Sequence, residues 1–165
     1  MAEEQAAATQ EPAKQQFVIQ RIYSKDLSFE SPATPGIFKK QWQPKINVDL
    51  NTRSNAIDEG GNFEVVLTIT VTSKIEEDTA FLVEVQQAGI FFITGFEPEQ
   101  LRRVLGTAAP NILFPYARET VDNLVVKGGF PALMLSPVSF DALFEQALAQ
   151  QAQQAQAGEA APAAS

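Results

Sequence analysis

Two adjacent stretches near the middle of the chain alternate apolar and polar side chains with a period of two residues. In the first stretch the apolar odd positions run from Phe63 to Val71, and in the second they run from Phe81 to Val85. A polar turn at 74–78 separates them. Such alternation, rich in β-branched residues, predicts a hairpin with one buried and one solvated face. A hairpin is not stable alone in water, so the rest of the chain must supply more strands and a cover.

Two further strands precede this hairpin. Residues 17–30 become strand-like and alternate clearly in their second half, and residues 46–52 alternate throughout. The segment 31–44, with three prolines and a glycine, and the polar segment 53–61, which ends in Gly-Gly, are predicted to be loops. We therefore expect four strands in one antiparallel sheet.

Three helical segments follow the sheet. Their predicted ranges are 98–106, 110–127 and about 140–150. The last one carries a regular apolar stripe at the spacing of an amphipathic helix. Strands followed by helices indicate an α+β fold rather than an alternating α/β fold.

The chain length leaves room for one domain, with a low-complexity segment at each end. We expect the folded domain to span residues 16–150. Residues 1–15, rich in Ala, Gln and Glu, and residues 151–165, rich in Gln and Ala, are predicted to be a disordered arm and a disordered tail.

Composition removes several classes of function. The chain has no cysteine and no histidine, which excludes thiolate and histidine catalysis and the commonest metal ligands, so we expect no metal and no cofactor. The net charge of −8 argues against nucleic-acid binding and favours a partner with a basic patch. The acidic N-terminus lacks the pattern of a signal peptide and no stretch is apolar enough to insert in a membrane, so we expect a cytoplasmic protein.

One group of residues is a candidate for catalysis. Tyr116, Arg118 and Glu119 stand close together in the second predicted helix, where they would bind and polarise a substrate. The spacing of Tyr116 and Glu119 suits a structural contact equally well. A small cofactor-free hydrolase is therefore an alternative interpretation, and a protein without enzymatic activity is the main one.

An acidic surface is a second candidate. Asp26, Ser28 and Glu30 share the polar side of the first strand, and Glu84 lies on the polar side of the hairpin. If the other strands present Asp49 and Glu64 to the same side, the sheet has an acidic outward face. Such a face is either an ordinary solvated surface or a dock for a basic partner.

The Pro-rich connection 31–44 also carries large apolar groups, among them Phe38 and Trp42. These side chains either pack back onto the core or line a groove for apolar ligand segments.

Several segments closely resemble the SecB protein-export chaperones, and the resemblance runs from about Phe17 to Gln150. The matching stretches are 17–30, 38–44, 81–91 and, as the most specific piece, the ten residues Pro110–Asn–Ile–Leu–Phe–Pro–Tyr–Ala–Arg–Glu119. The resemblance implies an α+β protomer with a four-stranded antiparallel sheet and two main helices. It also implies a homotetramer built as a dimer of dimers, with the long helices between the sheets.

The resemblance implies an ATP-independent chaperone that holds unfolded precursor proteins in the cytoplasm, does not insert in the membrane, and delivers its clients to the SecA motor. A SecB-like holdase serving a different delivery system is the close alternative. The family's SecA-contacting positions correspond here to Asp26, Glu30, Leu82 and Glu84, and positions linked to tetramer assembly correspond to Val83, Val85 and Gln87. Because a holder of unfolded chains needs exposed apolar grooves, we predict client contacts at Phe38, Trp42, Leu143, Phe144 and Leu148.

Overall fold

The structure, a computed structural model, describes residues 13–159 of the chain. Four strands form one antiparallel sheet: β1 (Gln16–Glu30), β2 (Lys45–Ala56), β3 (Asn62–Ile75) and β4 (Asp78–Thr94). Their order across the sheet is β1–β4–β3–β2, so the predicted β3–β4 hairpin lies in the centre and the other two strands form the edges. The predicted antiparallel sheet is confirmed.

The helices follow the sheet in the predicted order. They are α1 (Pro98–Gly106), α2 (Ala108–Lys127) and α3 (Phe140–Glu159), and a short 3-10 helix (Gly36–Lys39) lies in the connection between β1 and β2. Proline suits the first turn of α1 because its missing N–H has no partner there in any case. The α2 helix lies across the two central strands and closes the core.

The core lies between α2 and the face of the sheet that we call the inner face. Along β3 and β4 the odd-numbered apolar side chains predicted to be buried are almost completely inaccessible to solvent, except Phe63 near the start of β3, which is only partly buried. The fully buried members are Val65, Leu67, Ile69, Val71, Val83 and Val85, which pack with Leu113, Ala117, Val121 and Val125 of α2. The opposite, outer face of the sheet carries the even-numbered residues of these two strands.

Two elements are longer than predicted. The β2 strand continues to Ala56, because residues 53–56 pair with 63–66 of β3 and backbone pairing does not depend on side-chain polarity. The α3 helix continues to Glu159, well past the predicted end near residue 150. Alanine and glutamine are good helix formers even where no apolar stripe marks the helix.

Most of the predicted arm and part of the predicted tail, residues 1–12 and 160–165, lie outside the described residues, so their disorder stays a prediction. Within residues 13–159, no helix combines the length and the apolar content needed to cross a membrane.

Candidate functional site: two faces of one sheet

Strand register brings the predicted motor-contacting residues together on the outer face. Glu84 of β4 lies between Ser28 of β1 and Thr70 of β3, and the Thr70 hydroxyl donates a 3.1 Å hydrogen bond to the Glu84 carboxylate. In the next row, Leu82 lies beside Glu30. The side chain of Leu82 is only partly buried, although it lies in a central strand.

Two further acids join the same surface. Asp26 is opposite Gln86 of β4, and Asp49 of β2 is opposite Thr70, so both strands present these carboxylates to the outer side. We call Asp26, Glu30, Asp49 and Glu84 the acidic half of the outer face. In the described part of the chain none of these four carboxylates forms an ion pair. Their negative charge is therefore open to a partner.

A polar bridge crosses the middle of the outer face. Tyr23 of β1 lies opposite the small residue Ala88, and its hydroxyl donates a hydrogen bond to the carboxylate of Glu64 on β3, one strand further across. The Lys25 ammonium donates to the same carboxylate at 2.7 Å. A register shift between Ser24 and Asp26 marks an irregularity in β1 beside Lys25, which allows this lysine to reach the outer side next to Asp26.

The environment of the bridge shifts the pKa values of both Glu64 and Tyr23. The hydrogen bonds from Lys25 and then Tyr23 lower the pKa of Glu64, because they favour its charged form. Burial first, and then the hydrogen bond and the negative charge of Glu64, raise the pKa of Tyr23 to about 12. Glu64 was predicted to add to the acidic surface. It lies on the predicted face, but its charge is taken up by Lys25.

The predicted client residues of the Pro-rich connection lie on the other side of the molecule. Phe38 and Trp42 pack against the buried ring of Phe130, with ring centroids 5.2 and 5.6 Å apart. Phe130 in turn packs against Phe81 at the end of the core. Phe38 nevertheless keeps 52% of its surface exposed. Each ring therefore contacts the core on one side and solvent on the other, and the binding of apolar ligand segments by this segment stays a prediction.

The predicted client residues of α3 line two clefts. Leu143 and Phe144 face Leu50 of β2 across a cleft of about 390 Å³. Phe144 and Leu148 line a neighbouring cleft of about 260 Å³ beside α1. Phe144 lies so close to Gly106 that a Cβ atom there would be 2.7 Å from its ring, so only glycine allows this contact.

A polar clamp holds α3 against α1. The Arg103 guanidinium forms a salt bridge with Glu145 and lies 3.8 Å from an Asp141 oxygen. Its Cζ atom is 5.2 Å from the centroid of the Phe144 ring, which is cation–π geometry. One arginine thus fixes the first turns of α3 next to the larger cleft.

Two residues that connect these regions were missed at the level of sequence. Ile46 and Val48 lie on the inner side of β2, yet 39% and 40% of their surfaces are exposed. Along the chain they lie between Trp42 and Leu50, and they share with Leu50 the inner side of β2. We call this set of partly or largely exposed apolar residues the apolar groove: Phe38, Trp42, Ile46, Val48, Leu50, Leu143, Phe144 and Leu148. Alternation placed Ile46 and Val48 on the buried side, and no sequence signal indicated that α2 leaves the edge strand uncovered.

The three predicted assembly residues lie inside the protomer. Val83 and Val85 are fully buried in the core cluster that includes α2, and Gln87 is 3% exposed. The side-chain amide of Gln87 donates a 3.1 Å hydrogen bond to the carbonyl of Tyr23. Any effect of these residues on assembly would act through the packing of α2 and β1. Their role at an interface stays a prediction.

The candidate catalytic group does not converge. Arg118 and Glu119 line a small cleft with Asp122, whereas Tyr116 is not part of that cleft. The guanidinium of Arg118 lies over the ring of Phe114, 5.8 Å from its centroid. Because Tyr116 does not line this cleft and Arg118 stacks on Phe114, the structure of residues 13–159 shows no single cleft lined by all three groups, and the hydrolase alternative gains no support.

Comparison with known proteins identifies the family. Residues 10–151 match the family model described as "Preprotein translocase subunit SecB". The chain belongs to the SecB family. It is 55% identical over 160 residues to "Protein-export protein SecB" of Hahella chejuensis, covering 97% of this chain and 96% of the relative. It is 59% identical over 145 residues to the SecB protein of Pseudomonas aeruginosa, covering 87% and 86% of the two chains.

A solved structure has the same fold. A SecB-like chaperone of Mycobacterium tuberculosis, solved in complex with a ChAD peptide from an antitoxin, superposes with a TM-score of 0.63 and covers 74% of this chain and 91% of its own. The two sequences are only 18% identical, so this likeness supports the SecB fold alone.

Proposed function

We propose that this SecB-family protein is an ATP-independent cytoplasmic chaperone that holds unfolded precursor proteins and delivers them to the SecA motor. One observation carries the proposal: a single sheet has an exposed apolar strip on its inner side and uncompensated carboxylates on its outer side. A protein that holds one partner while meeting another needs two such separate surfaces.

The apolar groove is the proposed client site. Unfolded chains offer scattered apolar segments, and a long groove with several shallow subsites binds many of them without a fixed sequence. The aromatic rings of Phe38 and Trp42 give one subsite, the β2 side chains Ile46 and Val48 a second, and the α3 cleft a third. Partial exposure at each subsite leaves apolar surface that a client segment would cover.

The acidic half is the proposed dock for SecA, through Asp26, Glu30, Leu82 and Glu84. Unpaired carboxylates attract a basic partner over a distance of about a Debye length, which accelerates its association. Leu82 supplies a partly exposed apolar contact among the acids. We further propose a homotetramer, a dimer of dimers, whose stability depends on the packing of Val83, Val85 and Gln87 beneath α2 and β1.

The proposal is tested with two assays on one set of variants. The parent protein should suppress aggregation of a refolding precursor and bind SecA in pull-down and titration. Glu84→Lys should weaken SecA binding by at least tenfold and leave aggregation suppression unchanged, because the substitution reverses charge only on the outer face. Suppression without any SecA binding by the parent would favour a holdase for another delivery system. Absence of both effects would overturn the proposal.

A further inference from the structure

The outer face has a second half that the acidic residues do not explain. On the side of Tyr23 away from the acidic half, Ile90 and Phe92 of β4 point outward. Ile90 lies between Arg21 of β1 and the bridge residue Glu64 of β3, and Phe92 lies between Val18 of β1 and Asn62 of β3. The backbone N–H of Ile57, just after β2, donates a hydrogen bond to the carbonyl of Asn62, and Asn62 lies opposite Phe92. We call Val18, Ile57, Ile90 and Phe92 the apolar end of the outer face.

These side chains do not serve the core. Ile90 and Phe92 are only partly buried, and neither is part of the core cluster or packs against it. Val18 and Ile57 keep 50% and 52% of their surfaces exposed. A strand with a solvated face normally carries polar groups there, so a contiguous apolar set on that face indicates an interaction site.

Charge distinguishes this end from the acidic half. Arg21 lies opposite Ile90, in the row of Glu64, and Arg53 lies opposite Val66, in the row of Tyr23. In the described part of the chain neither arginine is paired with a carboxylate, and Arg53 makes only a 3.4 Å hydrogen bond to Gln86. Arg53 lies near enough to Glu64 for its charge to help lower the pKa of that carboxylate, which Lys25 already pairs. Arg21, Lys25 and Arg53 together outnumber Glu64, so this end of the outer face carries net positive charge where the acidic half carries negative charge.

The two halves are continuous along one strand. Leu82, Glu84, Ile90 and Phe92 are all outward positions of β4. At about 3.4 Å per residue, the ten residues from Leu82 to Phe92 span about 34 Å. A partner bound at Glu84 that follows β4 would cover the apolar end as well.

We propose that the apolar end is the second half of the motor-docking surface. Its occupant is a segment of SecA that follows the basic segment bound to the acidic half. This second segment presents apolar side chains to Phe92 and Ile90, and flanking carboxylates to Arg21 and Arg53. This inference rests on the proposed delivery to SecA and adds that docking is bipartite, with a charge-driven half and an apolar half.

The two halves differ in their response to salt, which supplies the test. Affinity for purified SecA is measured for the parent, Glu84→Lys and Phe92→Thr at about 0.1 M and about 1 M salt, where the Debye length falls from about 10 Å to about 3 Å. Phe92→Thr should weaken binding about tenfold at both salt concentrations, since it removes one large apolar anchor. The effect of Glu84→Lys should shrink at high salt. Threonine keeps strand propensity, and Val18→Thr repeats the test at an exposed edge position.

Each outcome decides between the claims. If Glu84→Lys weakens binding while Phe92→Thr and Val18→Thr do not, bipartite docking is wrong and the proposed function stands. If no variant changes the affinity for SecA, the outer face is not the dock and both claims fail. If Phe92→Thr impairs aggregation suppression instead, the apolar end belongs to the client site and the inference is overturned. Val48→Thr in the apolar groove is the matched control, and its affinity for SecA should equal that of the parent.

Discussion

The middle of the apolar groove gives the sharpest prediction, because Ile46 and Val48 are exposed enough to change without loss of the fold. Fully burying such a side chain contributes about 1.5–3 kcal/mol. A client that covers the exposed two fifths of each would gain about 1 kcal/mol per residue, or about 2 kcal/mol for the pair. The double variant Ile46→Thr/Val48→Thr keeps branched side chains that favour a strand while losing most of this gain. The expected result is a rise in the client Kd of about thirtyfold.

The assay is fluorescence anisotropy of a labelled, unfolded precursor segment titrated with each variant. The matched control is Asn51→Thr/Asn55→Thr, which introduces the same residue twice in the same strand but on the outer face. Thermal unfolding of both variants verifies that the sheet is intact. A client Kd within twofold of the parent for Ile46→Thr/Val48→Thr, or an equal loss in the control, would refute the assignment of this strand to the client site.

Three further predictions follow from individual contacts. Gly128→Ala should lower the thermal midpoint, with a cost of about 1–3 kcal/mol, because its Cβ would lie 2.2 Å from the Cζ atom of Phe29, a ring that packs against the core. An unchanged midpoint would contradict this packing. The phenolate absorbance of Tyr23 should appear only near pH 12. Because the pKa of Glu64 is lowered in the folded state, its contribution to stability is present above the ordinary carboxyl pKa and should be lost as the pH falls through the lowered pKa. In unfolding curves measured over a series of pH values, Glu64→Gln should remove this loss at acid pH. Arg103→Met should speed amide hydrogen exchange in α3. It should lower the free energy of unfolding by less than about 1 kcal/mol, because the ion pairs of Arg103 are exposed. Unchanged exchange would show that Arg103 does not hold the helix.

Alternation predicted the two faces of the sheet because successive side chains of a strand point to opposite faces, so every second residue of a central strand is buried against the same neighbours. The outward placement of Glu84 and the inward placement of Val83 both follow from it and are confirmed. The same rule placed Ile46 and Val48 inside, where the structure leaves them partly open. Whether a helix covers an edge strand depends on packing between distant elements, which periodicity does not report.

The rows of the outer face depended on register, which the sequence does not determine directly. The shift near Lys25 brings two consecutive residues to one side, and only then does this lysine reach Glu64 and divide the surface. Residues 53–56 were predicted to be a loop because they are polar, yet β3 offers them a pairing partner. Polar side chains on an edge strand are as compatible with pairing as with a loop.

The central claim is that the two faces of one sheet act independently, one holding a client and the other receiving the motor. Native mass spectrometry of the protein saturated with an unfolded precursor, then titrated with SecA without nucleotide, tests this claim most directly. The account predicts a ternary complex whose mass is the sum of chaperone, client and motor. Displacement of the client by SecA, with only binary masses at every concentration, would contradict it.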